Sequence, residues 1–316
     1  MIDLIGSFAA IWLAFWFSLS VLSVLLYPAV KRLLFNLHPR YGSSLLLGYW
    51  AAPFLLSLIS TTLLFLPAVE SLLVGSHCHA ACDDHVPVAQ SAFLTWLGLV
   101  LAGGMLSVCL YRLLSHIKAS FDLRRQFGLL GNPRADYQLI DSREPLVFTL
   151  GWWRPEVFVS HGILDRCGGD EMDIVLTHER EHLRRRDNLR LLLARVFGIL
   201  LPAALSNRLM DDLRLLTEEA CDFQAAENFG EVRVAEVLLK MQKLLQERTF
   251  LPPGVAIAFG EREVEERIVA LLGAAKRYRP SAGQLGSLWV ALFLCLVFIV
   301  EPLHHSSEWL LQIIGG

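Results

Sequence analysis

Thr177-His178-Glu179-Arg180-Glu181-His182 is the stretch from which the rest of the chain is read. It falls in the segment 170–190, whose pattern predicts a helix, so the two histidines lie four residues apart on one face. At that spacing both imidazoles reach one Zn²⁺, and Glu179 is placed to take a proton from water at the metal. Three fixed positions recur by chance at roughly the per-cent level in a chain of this length. The competing reading is a charged helix face with two solvated histidines, and the surrounding sequence has to decide.

The composition points to a bilayer. Hydrophobic residues make up 54% of the 316 residues and charged ones 19%, and the mean hydropathy is +0.47. A soluble globular chain is less apolar and more charged. The net charge of -3 and the lack of a glycine-rich phosphate loop give no reason to expect direct contact with nucleic acid. Four uncharged runs, Leu4–Val30, Tyr41–Val69, Val86–Tyr111 and Ser281–Val300, reach the roughly 20 residues that a spanning helix needs. The first is too long, and lacks the basic start, for a cleavable signal peptide. Pro28, Pro53 and Pro67 fall near helix ends or at tolerable kinks.

Basic residues set the expected orientation. Lys31, Arg32 and Arg40 lie between the first two runs, Arg112, Lys118, Arg124 and Arg125 follow the third, and Lys276, Arg277 and Arg279 precede the fourth. The loop from Glu70 to Gln90 has Asp83 and Asp84 and no Lys or Arg. The positive-inside rule then puts both termini outside and residues 31–40 and 112–280 in the cytoplasm. Leu191–Leu205 is apolar apart from Arg195 but short for a span, and is read as a helix buried in the soluble part or lying on the inner leaflet.

Downstream of the third run, Gly131-Asn132-Pro133 reads as a turn. Short β-branched and aromatic runs at 137–141, 145–150 and 156–160, broken by Gly151-Trp152-Trp153-Arg154-Pro155, predict a small antiparallel sheet. An edge strand of such a sheet can hold a peptide in extended form; it can equally serve only to cover a core. In the helix expected over 209–229, Glu218 and Asp222 share a face. A carboxylate there would complete three protein ligands and leave one open position, as in a catalytic zinc site. By spacing alone Glu219 competes with Glu218, and a solvated acidic face competes with both. Asp222 is a candidate to accept the free N–H of a ligand histidine. His161, Arg154 and Tyr137 are candidates by type for stabilising an oxyanion.

The blocks His178-Glu179-Arg180-Glu181-His182 with Arg185-Arg186-Asp187, and Glu218-Glu219-Ala220-Cys221-Asp222, resemble those of the beta-lactam sensor–transducer metallopeptidases (BlaR/MecR type). These are a bacterial family of membrane zinc proteases. Weaker likeness extends to Gly151–Leu164 and to Glu265-Glu266-Arg267-Ile268. The resemblance implies Glu218 as third zinc ligand and Asp222 as its supporting carboxylate. It implies a mainly α membrane protein of the bacterial inner membrane: four transmembrane helices with a cytoplasmic α+β zincin domain (HExxH, gluzincin-like) inserted between the third and fourth. The expected domains are 1–116 with the outer loop 70–85, 117–280, the span 281–300 and the tail 301–316. The tail has no Ser-x-x-Lys motif, so sensing of beta-lactams by acylation is not expected. The implied activity is zinc endopeptidase action on a cytosolic protein, a winged-helix transcriptional repressor in the family, and on the enzyme itself. Quality control of membrane proteins is the enzymatic alternative, and a non-catalytic scaffold the other. Oligomeric state is not legible.

Two further features stand out. The outer loop holds His77, Cys78, His79, Cys82 and His85 within ten residues, which suits either a Cu(I) or Zn²⁺ sensor or a Cys78–Cys82 disulfide among solvated histidines. Residues 246–260, with Pro252-Pro253-Gly254, read as an accessible loop and a candidate for self-cleavage. Cys109 and Cys295 fall in spans and are read as packing residues, while Cys167 and Cys221 are expected to stay reduced.

Overall fold

The computed structural model describes residues 1–66, 91–199, 201, 203–246, 261–273, 277–287, 290 and 294. The 70–85 loop with its candidate ligands, the candidate cleavage segment 247–260 and most of the run 281–300 lie outside the described residues. The protein is mostly helical. Helices α1 (Ile2–Asn36), α2 (Pro39–Leu64) and α3 (Ala92–Leu130) are each long and apolar enough to cross a membrane. The chain divides into two compact units: 1–30 with 48–111 and 280–316, and 31–47 with 112–279.

The first unit is built inside out. Leu25 and Phe17 are 71% and 63% exposed, while Ser7, Ser57 and Thr61 are fully buried. In water that arrangement would be unstable; in lipid, where apolar surface costs nothing to expose, small and polar residues serve the helix contacts. Ser7 and Thr61 donate to carbonyls one turn back, Asp3 and Ser57. Glycines bring α1 and α3 close. A Cβ on Gly98 would lie 2.8 Å from the Gly6 carbonyl oxygen and 2.9 Å from the Ala10 nitrogen.

Among the described residues, the second unit carries a four-stranded sheet and six helices of its own, besides the ends of α1, α2 and α3. The strands are β1 (Gly131–Pro133), β2 (Gln138–Ile140), β3 (Val147–Leu150) and β4 (Glu156–Ser160), in the order β1-β2-β4-β3. Two expectations are corrected here. Gly131–Pro133 is a strand, because the turn forms three residues later, closed by Arg134 N–H on the Tyr137 carbonyl at 2.9 Å. The sheet is mixed: β1–β2 and β3–β4 are antiparallel, but β2 and β4 run parallel. Residues 141–146 carry the chain past the β4 position before it turns back, and that crossover reverses the pairing. The return is made at Gly151, whose φ of +103 suits glycine. β3 is thereby left at the edge.

The helices are α4 (His161–Leu164), α5 (Gly169–Arg185), α6 (Asp187–Gly198), α7 (Ala203–Phe229), α8 (Glu231–Gln246) and α9 (Glu261–Leu272). Acidic Asp170 and Glu171 open α5, and Glu171 accepts the Gly168 N–H at 2.8 Å, both favourable at a helix start. The helix expected over 170–190 is broken. Arg186 adopts a left-handed conformation (φ 54, ψ 46), so α5 stops and α6 begins in a new direction. That conformation costs a residue with a Cβ about 1–2 kcal/mol. At 12 residues α6 is about 18 Å long, too short for a hydrocarbon core of about 30 Å. Val157, Val159, Ile174, Phe223, Val234 and Leu271 close a core between sheet and helices.

Candidate metal and peptidase site

The helical period does what the spacing requires. His178 and His182 stand one turn apart on α5, with Nε2 atoms 3.2 Å from each other. Glu218 on α7 completes a triangle: its Oε2 is 3.3 Å from His178 Nε2 and its Oε1 3.4 Å from His182 Nε2. A tetrahedral zinc with bonds of about 2.0–2.1 Å sets its ligand atoms about 3.3–3.4 Å apart. The three donors therefore already stand at the edges of such a tetrahedron. Glu218 Oε2 is buried; among the described residues it accepts no hydrogen bond, but the Arg267 guanidinium stands 3.2 Å from it and balances part of its charge. The donor set of two imidazoles and a carboxylate fits zinc.

Each histidine is fixed from behind. His178 Nδ1 is 3.0 Å from Asp222 Oδ1. Asp222 in turn accepts two bonds of 2.7 Å from the Arg267 guanidinium on α9. His182 Nδ1 is 2.9 Å from Asp187 Oδ2, and Asp187 is bound by Arg185 and Arg190. With Nδ1–H given to a carboxylate, each ring turns its Nε2 lone pair to the metal position. Neither Asp187 nor Arg267 was assigned a role from sequence, although both lie in blocks that carry the resemblance. Asp187 becomes available only because the helix breaks at Arg186.

Electrostatics agree with this division. Burial would depress the His178 pKa, yet the Asp222 and Glu218 carboxylates outweigh it and raise it to about 10. For Glu218 burial pushes upward, but His182 and Arg267 hold it well below the usual carboxylate range. A pocket that forces protons onto buried imidazoles is one that demands positive charge, and a metal supplies it. Glu219, the rival of Glu218, faces away toward Arg277, 3.3 Å off. Burial raises its pKa to about 7.

A second donor set exists. His178, His182 and Cys221 offer ligand atoms within 4.8 Å of one another. However, Cys221 Sγ approaches His182 at Nδ1, 3.3 Å away, the nitrogen already engaged by Asp187. Burial and the Asp187 carboxylate also keep the thiol protonated, with its pKa well above the ordinary value, whereas a metal needs the thiolate. Glu218 is the better third ligand. Among the described residues, Cys109, Cys167 and Cys221 are all free thiols.

Glu179 lies between the ligands and the sheet. Its Oε2 accepts the Thr149 hydroxyl at 2.7 Å, which fixes the carboxylate, and the other oxygen has no hydrogen bond among the described residues. Thr149 lies on the edge strand β3. Ser160 N–H bonds the Leu146 carbonyl, and from that register Phe148 faces β4 while Val147 and Thr149 turn their backbone groups outward. Asn188 Nδ2 closes the far end of this edge by donating to the Thr149 and Gly151 carbonyls. Tyr137 packs against the core, and Arg154 and His161 are exposed. Among the described residues none of the three bonds to Glu179 or to the proposed ligands.

Residues 134–271 match the family model described as BlaR1 peptidase M56. The match covers somewhat under half of the chain, and that segment is similar to this family. The match takes in both motif blocks, β2 to β4 and Arg267, and agrees with the resemblance drawn from His178–His182 and Glu218–Asp222. No curated protein and no solved structure matches the chain. An M56 domain implies a metallopeptidase, and the three long apolar helices associate it with a membrane.

Proposed function

We propose that the chain is a membrane-bound zinc endopeptidase in which His178, His182 and Glu218 hold the metal and Glu179 is the general base. The observation that carries this reading is the triangle of donor atoms 3.2, 3.3 and 3.4 Å apart beside a carboxylate not engaged by any of them. When bound, zinc supplies a Lewis acid for water and for the scissile carbonyl. Glu179 takes the proton of the attacking water with its free oxygen and returns it to the leaving amine. Thr149 holds the other oxygen and fixes the direction of that transfer. The outward N–H and C=O of Val147 and the N–H of Thr149 can pair with an extended peptide, which lays the scissile bond along β3 towards Glu179.

The expected substrate is a cytosolic transcriptional repressor of winged-helix type, with self-cleavage as a second event, in a bacterial inner-membrane enzyme that relays an outside signal. The domain's family supports that role, and a cleft built from one short edge suits a few defined cuts. The test uses the full chain purified in detergent, with zinc measured by elemental analysis and cleavage followed on a peptide library. E179Q is expected to keep its zinc and lose activity by about 10²–10⁴-fold. Full activity in E179Q, or wild-type protein without zinc, would overturn the assignment. T149V is expected to lower kcat several-fold with little change in KM, and T149S to restore it.

A further inference from the structure

A second cavity, of about 500 Å³, lies in the second unit between α3, α6 and α7. Arg112, Arg195 and Arg214 line it, with His116, Asn207 and Asp211. Asp211 is the single acid in this lining; it stands 3.5 Å from Arg214 and is 71% exposed. Among the described residues no carboxylate pairs with Arg112 or Arg195. The imbalance shows in the groups themselves: burial and the nearby Arg195 and Arg112 hold the His116 pKa down, and burial and Arg214 lower that of Arg195. Three guanidiniums against one carboxylate leave the lining with an excess of positive charge. Asn207 adds donors near the amino-terminal end of α7, where the helix dipole is also positive.

The position of the cavity narrows what fills it. Arg112 directly follows the uncharged stretch 92–111 of α3, so the cavity opens where that helix leaves hydrocarbon. Ile199, Leu201 and Met210 complete the lining, giving the basic cavity an apolar flank. A bare anion has no use for that flank. A volume of about 500 Å³ also exceeds by far the ~30 Å³ of a single water, so there is room for a substituted phosphate. Guanidiniums favour phosphate oxygens through paired N–H donors.

We infer that this cavity binds the phosphate headgroup of an anionic phospholipid, with Arg112, Arg195 and Arg214 on the phosphate and the acyl chains leaving along the apolar lining at Ile199 and Leu201. The site is independent of the zinc centre and shares no residue with it. Basic residues at a membrane surface each strengthen binding to anionic lipid about fivefold. Full-length protein in detergent would be offered equal amounts of phosphatidylglycerol and phosphatidylcholine, and the lipids it retains counted by native mass spectrometry. The wild type is expected to prefer phosphatidylglycerol, and R112Q/R195Q to lose roughly 25-fold of that preference. R233Q, on exposed α8, serves as a charge control and is expected to keep it. Circular dichroism melting of each variant separates loss of binding from loss of folding, and R112K/R195K is expected to restore most of the preference. Equal retention of the two lipids by wild type, or an unchanged preference in R112Q/R195Q, would overturn the inference. So would millimolar inorganic phosphate displacing the lipid and stabilising the protein equally well, since the occupant would then be a free anion.

Discussion

The two histidines proposed as ligands sit on the same face of the same helix, yet they are supported in opposite ways. His178 is backed by Asp222 from a distant helix, and Asp222 is tied to Arg267, which is 2% exposed. His182 is backed by Asp187, five residues away, which is reached through a left-handed Arg186 and bound by Arg185 and Arg190. Arg185 and Arg190 also donate to Ser43 and Ser44 near the start of α2. One support is part of the core of α7 and α9; the other is a local fold of the chain with outlets to hydroxyls. The first should fail together with the fold, the second with the metal alone.

The largest expected effect is at Arg267. R267Q removes the partner of a buried carboxylate, a loss of about 3–5 kcal/mol, and should lower the melting midpoint sharply as well as the zinc content. A stable R267Q with normal zinc would erase the distinction between the two supports. D187N is the counterpart: zinc affinity should fall about 10–100-fold while the melting midpoint of the metal-free protein moves far less, because Arg185 and Arg190 retain Ser43 and Ser44. Calorimetry of both variants, metal-free and metal-loaded, reads the contrast directly.

Protons give a subtler reading. The His178 pKa is raised from 6.5 to about 10, so without metal its interaction with Asp222 stabilises the fold fully below about pH 6.5 and is lost as pH rises through about 10. At pH 7.5 the metal-free ring is charged, and zinc must displace its proton. Zinc titrations in buffers of different ionisation enthalpy should therefore show proton release, which D222N diminishes because the raised pKa depends on that carboxylate. The smallest effect belongs to C221S. With the sulfur behind His182 and Glu218 in front, zinc content should be nearly unchanged. Loss of the metal in C221S would make the thiol a ligand and remove Glu218 from that role.

What could be read in the sequence follows the range of the interaction. His178 and His182 are legible because a helix repeats every 3.6 residues and both ligands obey one period. Glu218 could be chosen over Glu219 only through the family likeness, since either residue satisfies the spacing; the structure brings Glu218 to the histidines and sends Glu219 to Arg277. Asp187 was hidden because apolar periodicity runs through residue 186 without marking a break, and nothing in an arginine announces a positive φ. Arg267 lies 45 residues from Asp222, beyond any local pattern. The strands at 138–140, 147–150 and 156–160 were visible from composition, but parallel against antiparallel pairing is a matter of the path between them. The same holds for Thr149, whose hydroxyl meets Glu179 only after β3 packs on α5.

The amide of Asn188, which occupies the carbonyls of Thr149 and Gly151, has a consequence for solubility. A sheet edge able to receive a peptide is also able to receive the same edge of another copy, and open edges are the usual route to aggregation. With the Thr149 carbonyl taken, and that of Gly151 just past the strand, the edge keeps too few free groups for a lasting strand exchange between molecules. N188A should show this as a tendency to self-associate on concentration, before any change in cleavage is seen.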